Sequence, residues 1–386
     1  MQVGGAAQLV GLRFVGFRNE QAASYAAGAA SYLSGVPQAC LVVSGPGVVH
    51  GVAGLANAWA NCWPMILIGG APSTMTGGMG AFQESPTMDA CRPFTKYQAR
   101  IDSVARIPFL VARAMHIARS GRPGPVYLEI PAELVTASIP TQDIPALLGK
   151  PLPPPPRPLA EPQSVADAIA LLRGASRPLV IVGKGCGWSR AEVQVRSFVE
   201  QLNIPFLATP MGKGVVADDH ALSVAAARSA ALAGADVVLL LGARLNWILH
   251  FGLAPRFSEN VKIIQADISP EELHTNVRTE VSLVGDLQSV VCQLLSASKG
   301  VSFPAWSGWK ASLQKDVDKN NASVAKLMSN ESIPMSYYRV FKSIQAGIPK
   351  DSIIVSEGAK SDNDTQTVRS EYGAYALAPG CLSSDC

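Results

Sequence analysis

The chain has 386 residues, of which 48% are hydrophobic and 16% are charged. At about 150 residues per domain this length predicts roughly two to three domains. The composition excludes a wholly disordered chain, because disordered chains are poor in apolar residues and rich in charge. The formal net charge of +3 is too small for a basic nucleic-acid-binding surface.

Further features of the sequence bear on membrane spanning, secretion, disulfide bonds and metal binding. No apolar run reaches the roughly 18 residues that suggest a membrane span, and the N-terminus lacks the basic segment of a signal peptide. The number of cysteines, seven, is odd, and none of them form a CxxC pair. The cysteines therefore indicate a protein of a reducing compartment and not a disulfide framework. The histidines show no HxxxH or HExxH pairing, so no metal ligands are predicted.

Short runs rich in Val, Ile and Leu recur along the chain, with segments between them that are long enough for helices. The predicted strands span residues 12–17, 39–44, 65–69, 126–130, 179–182, 205–208, 237–241, 262–267 and 353–356. Nearly continuous apolar runs are typical of strands that are buried on both faces. The pattern therefore predicts parallel sheets covered by helices.

Proline and composition mark the predicted domain boundaries. The segment PLPPPPRP at residues 151–158 predicts a stiff, extended linker, because neither a helix nor a central strand accommodates it. A second boundary is predicted near residues 298–309, where a helical stretch ends at Lys299 and Gly300. The final polar segment, from about residue 360, has no clear periodicity and is unlike the rest.

Glu20 stands at the start of a helix predicted over residues 22–33, which is very rich in Ala, Gly and Ser. A carboxylate in the first turn is favoured by the helix dipole, so a simple charged cap is one interpretation. The small residues indicate close packing against another backbone, for which a subunit interface is one candidate. At such an interface the carboxylate of Glu20 would be desolvated and available for chemistry.

Before the proline-rich segment, two further stretches of the sequence have the composition of a pocket wall. The turn between a strand and the helical stretch 48–61 lets a ligand approach backbone N–H groups, and it consists of Ser44, Gly45, Pro46 and Gly47. The segment GAFQE at residues 80–84 places an aromatic ring, an amide and an acid on one loop. A tight connection and an ordinary surface loop are the alternative interpretations.

After the proline-rich segment, the sequence contains a glycine-rich turn at residues 183–187, directly after a predicted strand. Such a turn suits phosphate binding, with Lys184 as a point charge, although the GxGxxG spacing of dinucleotide-binding proteins is absent. Arg228 and Arg244 are further cations beside predicted strands. Cations at the carboxyl edge of a parallel sheet favour a phosphorylated ligand, and solvated surface arginines are the alternative.

Together these segments resemble the thiamine-diphosphate-dependent 2-hydroxyacyl-CoA lyases, a family related to oxalyl-CoA decarboxylase. The resemblance runs from about residue 3 to residue 359, and the segments that carry it are RNEQAASYAAGAASYL, CLVVSGPGVVHG, NCWPMILIGG, GAFQE, GRPGPVYLEIPAE, PFLATPMGKGVV, AAARS, GARLNWILHFGL and IIVSEGA. It implies an α/β fold class of doubly wound parallel sheets in tandem. A pyrimidine-binding domain of the thiamine-diphosphate-binding fold comes first, a Rossmann-like central domain second, and a truncated diphosphate-binding domain third.

With the linker included, the resemblance predicts five segments. They are a pyrimidine-binding domain at residues 1–147 that is clipped at its N-terminus, a linker at 148–161, a nucleotide or CoA domain at 162–298, the start of the third domain at 299–359 and a divergent tail at 360–386.

The resemblance also implies roles for individual residues. Glu20 matches the glutamate that hydrogen-bonds the aminopyrimidine of thiamine diphosphate and promotes loss of the thiazolium C2 proton. Phe82 and Gln83 match residues near the reacting centre, and the turn Ser44, Gly45, Pro46 and Gly47 is assigned to the cofactor. The nucleotide contacts implied for an ADP-type ligand are Arg122, Lys184, Arg244, Asp267 and Leu287. The implied coenzyme A contacts are Ala225, Ala226, Ala227, Arg228, Ser229 and Asn320.

The implied reaction cleaves a 2-hydroxyacyl-CoA into formyl-CoA and an aldehyde one carbon shorter, a step of fatty acid α-oxidation in the peroxisome, with thiamine diphosphate and Mg²⁺ as cofactors. A homodimer or homotetramer is implied for the intact enzyme. The chain ends in Ser-Asp-Cys and not in the usual peroxisomal tripeptide, which leaves the cytoplasm as the alternative location. Alternative functions are an oxalyl-CoA decarboxylase, a non-catalytic CoA- or ADP-binding fragment and an unstable truncation product.

The chain departs from the family pattern at its end. The resemblance stops at Ala359, and no Gly-Asp-Gly segment, which holds Mg²⁺ and the diphosphate in the family, occurs in this sequence. We therefore expect the metal and diphosphate ligands to lie outside this chain. The chain by itself is expected to be nearly inactive.

Overall fold

A computed structural model describes residues 2–148, 152–349, 352, 354–355 and 375–376. The chain forms two compact units, Met1–Pro156 and Arg157–Cys386. The division falls within the proline-rich segment, and residues 152–161 belong to no helix or strand.

The first unit contains a parallel four-stranded sheet in the order β1-β2-β4-β3. Its strands are β1 (Gln38–Val42), β2 (Met65–Ala71), β3 (Tyr97–Arg100) and β4 (Val126–Pro131). Its helices are α1 (Gln2–Leu9), α2 (Glu20–Ser34), α3 (Pro46–Asn61), α4 (Thr87–Cys91), α5 (Ile107–Arg119), α6 (Ala132–Val135) and α7 (Ile144–Leu148).

Local sequence signals set the ends of the two long helices of this unit. The side chain of Asn19 accepts a hydrogen bond from the Ala22 amide at 3.1 Å, which caps the start of α2. Gly35 ends α2 with a φ of 72°, a left-handed conformation that glycine adopts without strain. Pro46 begins α3, where its missing N–H costs no helical hydrogen bond.

The second unit contains a parallel five-stranded sheet in the order β6-β5-β7-β8-β9. Its strands are β5 (Pro178–Val182), β6 (Phe206–Ala208), β7 (Val237–Leu241), β8 (Lys262–Asp267) and β9 (Thr279–Val284). Its helices are α8 (Pro162–Arg173), α9 (Lys184–Trp188), α10 (Glu192–Leu202), α11 (Arg228–Gly234), α12 (Leu287–Ala297), α13 (Ser307–Met328) and α14 (Tyr337–Gly347). Two short strands, β10 (Ile354–Val355) and β11 (Tyr375–Ala376), pair in parallel.

Both faces of the five-stranded sheet are buried. Val180 and Val182 of β5 belong to one hydrophobic cluster, whereas Leu179 and Ile181 belong to another. Successive strand side chains point to opposite faces, so the alternation shows that the continuous apolar run fills two cores. The predicted α/β fold with parallel sheets in tandem is therefore confirmed.

The strand predicted at residues 12–17 is wrong. These residues are irregular in the structure, and their apolar side chains are exposed. A strand needs a neighbour for its backbone hydrogen bonds, and within the described residues β1 is the edge of its sheet, with no strand beyond it.

In the two larger sheets, two strands were not predicted, β3 and β9. Both lie at the edges of their sheets, and β9 alternates between buried and partly exposed residues. They therefore lack the continuous apolar run on which the prediction relied.

The predicted C-terminal segments are described only in part. The tail at 360–386 lies outside the described residues except for 375–376, and of the strand predicted at 353–356 only residues 354–355 are described. Among the described residues, no helix is both long and apolar enough to cross a bilayer.

Candidate functional site

The predicted catalytic residue Glu20 is the first residue of α2, and its side chain is 37% exposed. Its Oε2 atom lies 3.2 Å from Nδ1 of His50, one turn into α3. The pKa of Glu20 lies below its ordinary value, because a backbone N–H donates to the carboxylate and His50 hydrogen-bonds to it. Glu20 is therefore a carboxylate at neutral pH that solvent can reach.

Close packing of α2 against α3 brings Glu20 and His50 together. Gly54 of α3 lies directly on Ser24 of α2, and a Cβ at Gly54 would be 2.7 Å from the Ser24 carbonyl carbon. Gly28 of α2 lies against the ring of Trp63, where a Cβ would be 3.5 Å from the nearest ring atom. The predicted close approach of the small-residue helix is thus met within the chain itself.

The turn that precedes α3 holds the predicted residue Gln83. Gly45 has a φ of 59°, and a Cβ there would lie 2.6 Å from the backbone oxygen of Gln83. The hydroxyl of Ser44 donates a hydrogen bond to Oε1 of Gln83 at 3.0 Å. The first turns of α3 therefore gather Ser44, Gly45, Gln83 and, through His50, Glu20.

Residues 72–86, which connect β2 to α4, are called the Phe82 loop here. Phe82 is 86% exposed, so its ring is free to contact a ligand. The carboxylate of Glu84 accepts hydrogen bonds from the amides of Gly78, Gly80 and Ala81 at 2.6, 3.1 and 3.2 Å. The loop is thus organised by one of its own acids, a role that was not predicted.

In the second unit, the glycine-rich turn after β5 lies against the turn after β7. A Cβ at Gly183 would be 2.2 Å from the Gly242 oxygen, and one at Gly185 would be 2.8 Å from the Gly242 Cα. The amide of Gly185 donates to the Gly242 oxygen at 3.1 Å. These glycines permit a close backbone approach, and Lys184 begins the five-residue helix α9.

Another of the predicted nucleotide contacts, Arg244, lines a cavity of about 190 Å³ in the second unit. Its polar lining also includes Asn246, Gln265 and Glu272. Asp267, at the end of β8, accepts a hydrogen bond from the Ser269 amide at 2.9 Å and is almost fully buried.

Among the five predicted nucleotide contacts, Arg244 is the one that belongs to this cavity's lining. Leu287 is the buried first residue of α12, and Arg122 belongs to the first unit.

The structure brings the predicted coenzyme A contacts together. Asn320 of α13 donates a hydrogen bond to the Ala226 oxygen at 2.7 Å, across 94 residues of sequence. Arg228 begins α11 and donates to the Ile248 oxygen. Burial lowers the pKa of Arg228, and the charge of Arg256 lowers it further. The segment at 225–229 therefore presents a partly desolvated cation beside an amide.

Sequence reasoning missed His50, which touches Glu20, and the role of Glu84 in organising the Phe82 loop. Only its helical position near the Ser44 turn distinguished His50 in the sequence, and the contact depends on how α2 packs on α3. Within the described residues no group of three or more His, Cys, Asp or Glu side chains could hold a metal ion.

Comparison with known proteins gives the family. Residues 3–91 match the model "Thiamine pyrophosphate enzyme, N-terminal TPP binding domain", and residues 165–294 match "Thiamine pyrophosphate enzyme, central domain". The two matches together cover more than half of the chain.

Three relatives illustrate the similarity, which extends over more than nine tenths of this chain. The chain is 49% identical to mouse 2-hydroxyacyl-CoA lyase 1 over 358 residues, covering 92% of this chain and 61% of that protein. It is 46% identical to human 2-hydroxyacyl-CoA lyase 1, covering 95% and 64%. It is 37% identical to oxalyl-CoA decarboxylase of Escherichia coli K12, covering 95% and 65%.

The chain thus spans about three fifths of the length of these relatives. Both domain matches fall on the units that carry the parallel sheets, and the chain belongs to the thiamine pyrophosphate enzyme family, with similarity to its 2-hydroxyacyl-CoA lyases.

Proposed function

We propose that this protein is a carbon–carbon lyase that cleaves a 2-hydroxyacyl-CoA into formyl-CoA and an aldehyde one carbon shorter. The observation that carries the proposal is the position of Glu20: an ionised, solvent-accessible carboxylate at the start of α2, beside His50 and the Ser44 turn. Similarity to 2-hydroxyacyl-CoA lyases at 46–49% identity supports the choice of reaction.

Glu20 fits the aminopyrimidine end of thiamine diphosphate. An ionised carboxylate accepts a hydrogen bond from a protonated ring nitrogen, and the low pKa of Glu20 keeps it in the accepting form. When bound, thiamine diphosphate supplies a carbon nucleophile and an electron sink. Glu20 would hold the proton at the ring nitrogen, and the hydrogen bond between His50 and Glu20 would keep the carboxylate in place.

The Phe82 loop provides the substrate side of the proposed site. Gln83 is held at the start of α3 by Ser44, and Phe82 presents an exposed ring beside it. An amide and an aromatic ring suit a neutral hydroxyacyl group, whose hydroxyl and carbonyl need hydrogen-bond partners and whose chain needs apolar contact.

Coenzyme A is assigned to the segment at 225–229 with Asn320. A partly desolvated guanidinium binds a phosphate more strongly than a fully hydrated one does. Arg228 has this property, and the Asn320 contact fixes the segment that precedes it. The cavity at Arg244 is proposed for an ADP-type ligand.

We further propose Mg²⁺ as the metal, the peroxisome as the location and a second copy of the chain as the partner. Exposed apolar side chains on α2 and α3, including Leu33, Val49 and Trp59, support an interface between copies.

The test is an assay, with thiamine diphosphate and Mg²⁺, of a full-length form that spans the whole length of the lyase relatives, offered a 2-hydroxyacyl-CoA or oxalyl-CoA. Formyl-CoA and an aldehyde from the first substrate are the expected products. Carbon dioxide from the second substrate alone would support a decarboxylase, and binding of coenzyme A without turnover would support a non-catalytic module.

A pair of variants shows whether Glu20 carries the reaction. Glu20→Gln should reduce turnover by about a hundredfold or more, because general acid–base catalysis contributes about that much. Glu192→Gln is the matched control, since Glu192 is also the first residue of a helix. Equal activity of the two variants would contradict the role of Glu20.

A further inference from the structure

Glu129 of β4 is a fully buried carboxylate that the proposed reaction does not use. The hydroxyl of Tyr127 donates to its Oε1 atom at 3.1 Å. The Thr87 hydroxyl donates to the same atom, and Nε of Arg100 donates to Oε2. A buried charge costs several kcal/mol unless it is paired and hydrogen-bonded, and Glu129 meets both conditions.

The partners of Glu129 lie around the Phe82 loop. Thr87 is the first residue of α4 and immediately follows the loop. The Tyr127 hydroxyl lies over Gly69 of β2, where a Cβ would be 2.7 Å from it, shortly before the loop begins. Strand register places Glu129 opposite both Gly69 and Arg100. One carboxylate therefore contacts the loop's exit and its supporting strands.

Arg100 extends this network toward the loop itself. Its side chain is 52% exposed, although its Nε atom serves the buried Glu129. The pKa of Glu84 is lowered mainly by the amides of Gly78 and Ala81, and the positive charge of Arg100 adds to the effect. The guanidinium is therefore paired with the buried Glu129, and it acts on Glu84 through its charge alone.

The Phe82 loop packs against the Ser44 turn through Gln83. Gln83 has a φ of 57°, and its backbone oxygen lies in the space that a Cβ at Gly45 would occupy. At the other end, Glu133 accepts a hydrogen bond from the Thr74 amide at 3.1 Å. The loop is thus held at its entry by Glu133, in its middle by Glu84 and at its exit by Glu129.

We propose that Glu129 and Arg100 are positioning residues that fix the Phe82 loop, and so place Gln83 and Phe82 against the Ser44 turn. The claim that this placement matters for turnover rests on the proposed function. The claim that the pair fixes the loop rests on the contacts alone.

The test is amide hydrogen exchange, read by mass spectrometry, of the whole protein and of Glu129→Gln and Arg100→Met. Exchange across residues 72–86 should become about tenfold faster in both variants, while peptides from α2 and α5 stay within about twofold of wild type. Asp102→Asn is the matched control, because it removes an acid from an exposed ion pair with Arg106 in the same unit.

Two results would overturn the proposal: unchanged exchange of the loop in both variants, or faster exchange throughout the first unit. If Glu129→Gln fails to fold, Thr87→Val is the variant that tests the proposal, because it removes one hydroxyl and leaves the Arg100–Glu129 pair intact. Exchange at the end of the loop next to Thr87 should then become faster. Unchanged exchange there would overturn the proposal.

The lyase assay separates the two claims. In an active protein, Glu129→Gln should lower kcat about tenfold and leave KM for the CoA ester unchanged, since the proposed CoA contacts lie in the other unit. The single variant Arg100→Lys, which keeps the positive charge, should retain more of the wild-type kcat than Arg100→Met does. An inactive full-length form would contradict the proposed function, and the exchange data would still decide the role of Glu129.

Discussion

Replacing Gly54 with alanine tests how closely α2 must approach α3. An added Cβ would lie 2.1 Å from Oγ of Ser24 and 2.7 Å from its carbonyl carbon. The hydroxyl can rotate away, but the carbonyl carbon belongs to the backbone of α2. The two helices must therefore separate, and the distance between Glu20 and His50 must grow with them.

Two opposing effects determine how much Gly54→Ala changes the free energy of unfolding. Alanine is intrinsically better in a helix than glycine by about 1 kcal/mol, whereas overpacking of a closely packed site costs about 1–3 kcal/mol or more. Because the clash involves backbone, we expect the upper end of that range. The free energy of unfolding of the first unit should fall by about 2 kcal/mol, which at a slope of about 2 kcal/mol/M lowers the urea midpoint by about 1 M.

Thiol labelling in urea can measure each unit separately. Cys40 and Cys91 are buried in the first unit, and Cys186 is buried in the second. Labelling of the first two should shift to lower urea in Gly54→Ala, whereas labelling of Cys186 should not. Separate readouts are needed because two units need not unfold in a single transition.

Gly5→Ala is the matched control, since Gly5 lies in α1 and a Cβ there would meet nothing within 4 Å. This control should be neutral or slightly stabilising. A Gly54→Ala variant as stable as wild type, or an equal loss in both variants, would refute the reasoning about backbone contact.

Three further predictions concern the thiols, a buried lysine and the CoA segment. At pH 8 a thiol reagent should modify exposed Cys292 well before Cys186, because burial raises the pKa of Cys186 to about 12; equal rates would contradict this. Lys96 donates to three backbone carbonyls at 2.6–2.7 Å, so Lys96→Met should lower the free energy of unfolding by about 1–3 kcal/mol. Burial lowers the pKa of Lys96 to about 8, below that of the unfolded chain; the unfolded chain then binds more protons, and the stability that Lys96 contributes should rise between about pH 8 and pH 10. Urea midpoints of Lys96→Met and wild type at those pH values would measure it, and a constant difference would count against it. Arg228→Ala should weaken the binding of coenzyme A about tenfold, as measured by calorimetry. Asn320→Ala should weaken it less, since Asn320 holds the segment at 225–229 by one neutral hydrogen bond. Unchanged affinity in both variants would contradict the assignment of coenzyme A to this segment.

The amino-acid sequence by itself determined the strands that lie inside the sheets. Val237–Leu241 and Lys262–Asp267 are strands with the predicted bounds, because a strand buried on both faces must be apolar at every position. The helix that begins at Glu20 was also visible, since its cap and small residues are local signals. The family resemblance depended on such contiguous segments.

Only the tertiary structure decided the edge strands β3 and β9 and the contacts between distant residues. Residues 12–17 have strand composition but pair with no strand among the described residues, whereas β3 and β9 pair despite weak patterns. The contacts of Ser44 with Gln83, Thr87 with Glu129 and Asn320 with Ala226 span 39, 42 and 94 residues. Such contacts follow from the path of the chain, which brings the carboxyl ends of parallel strands to one edge, and no local pattern encodes them.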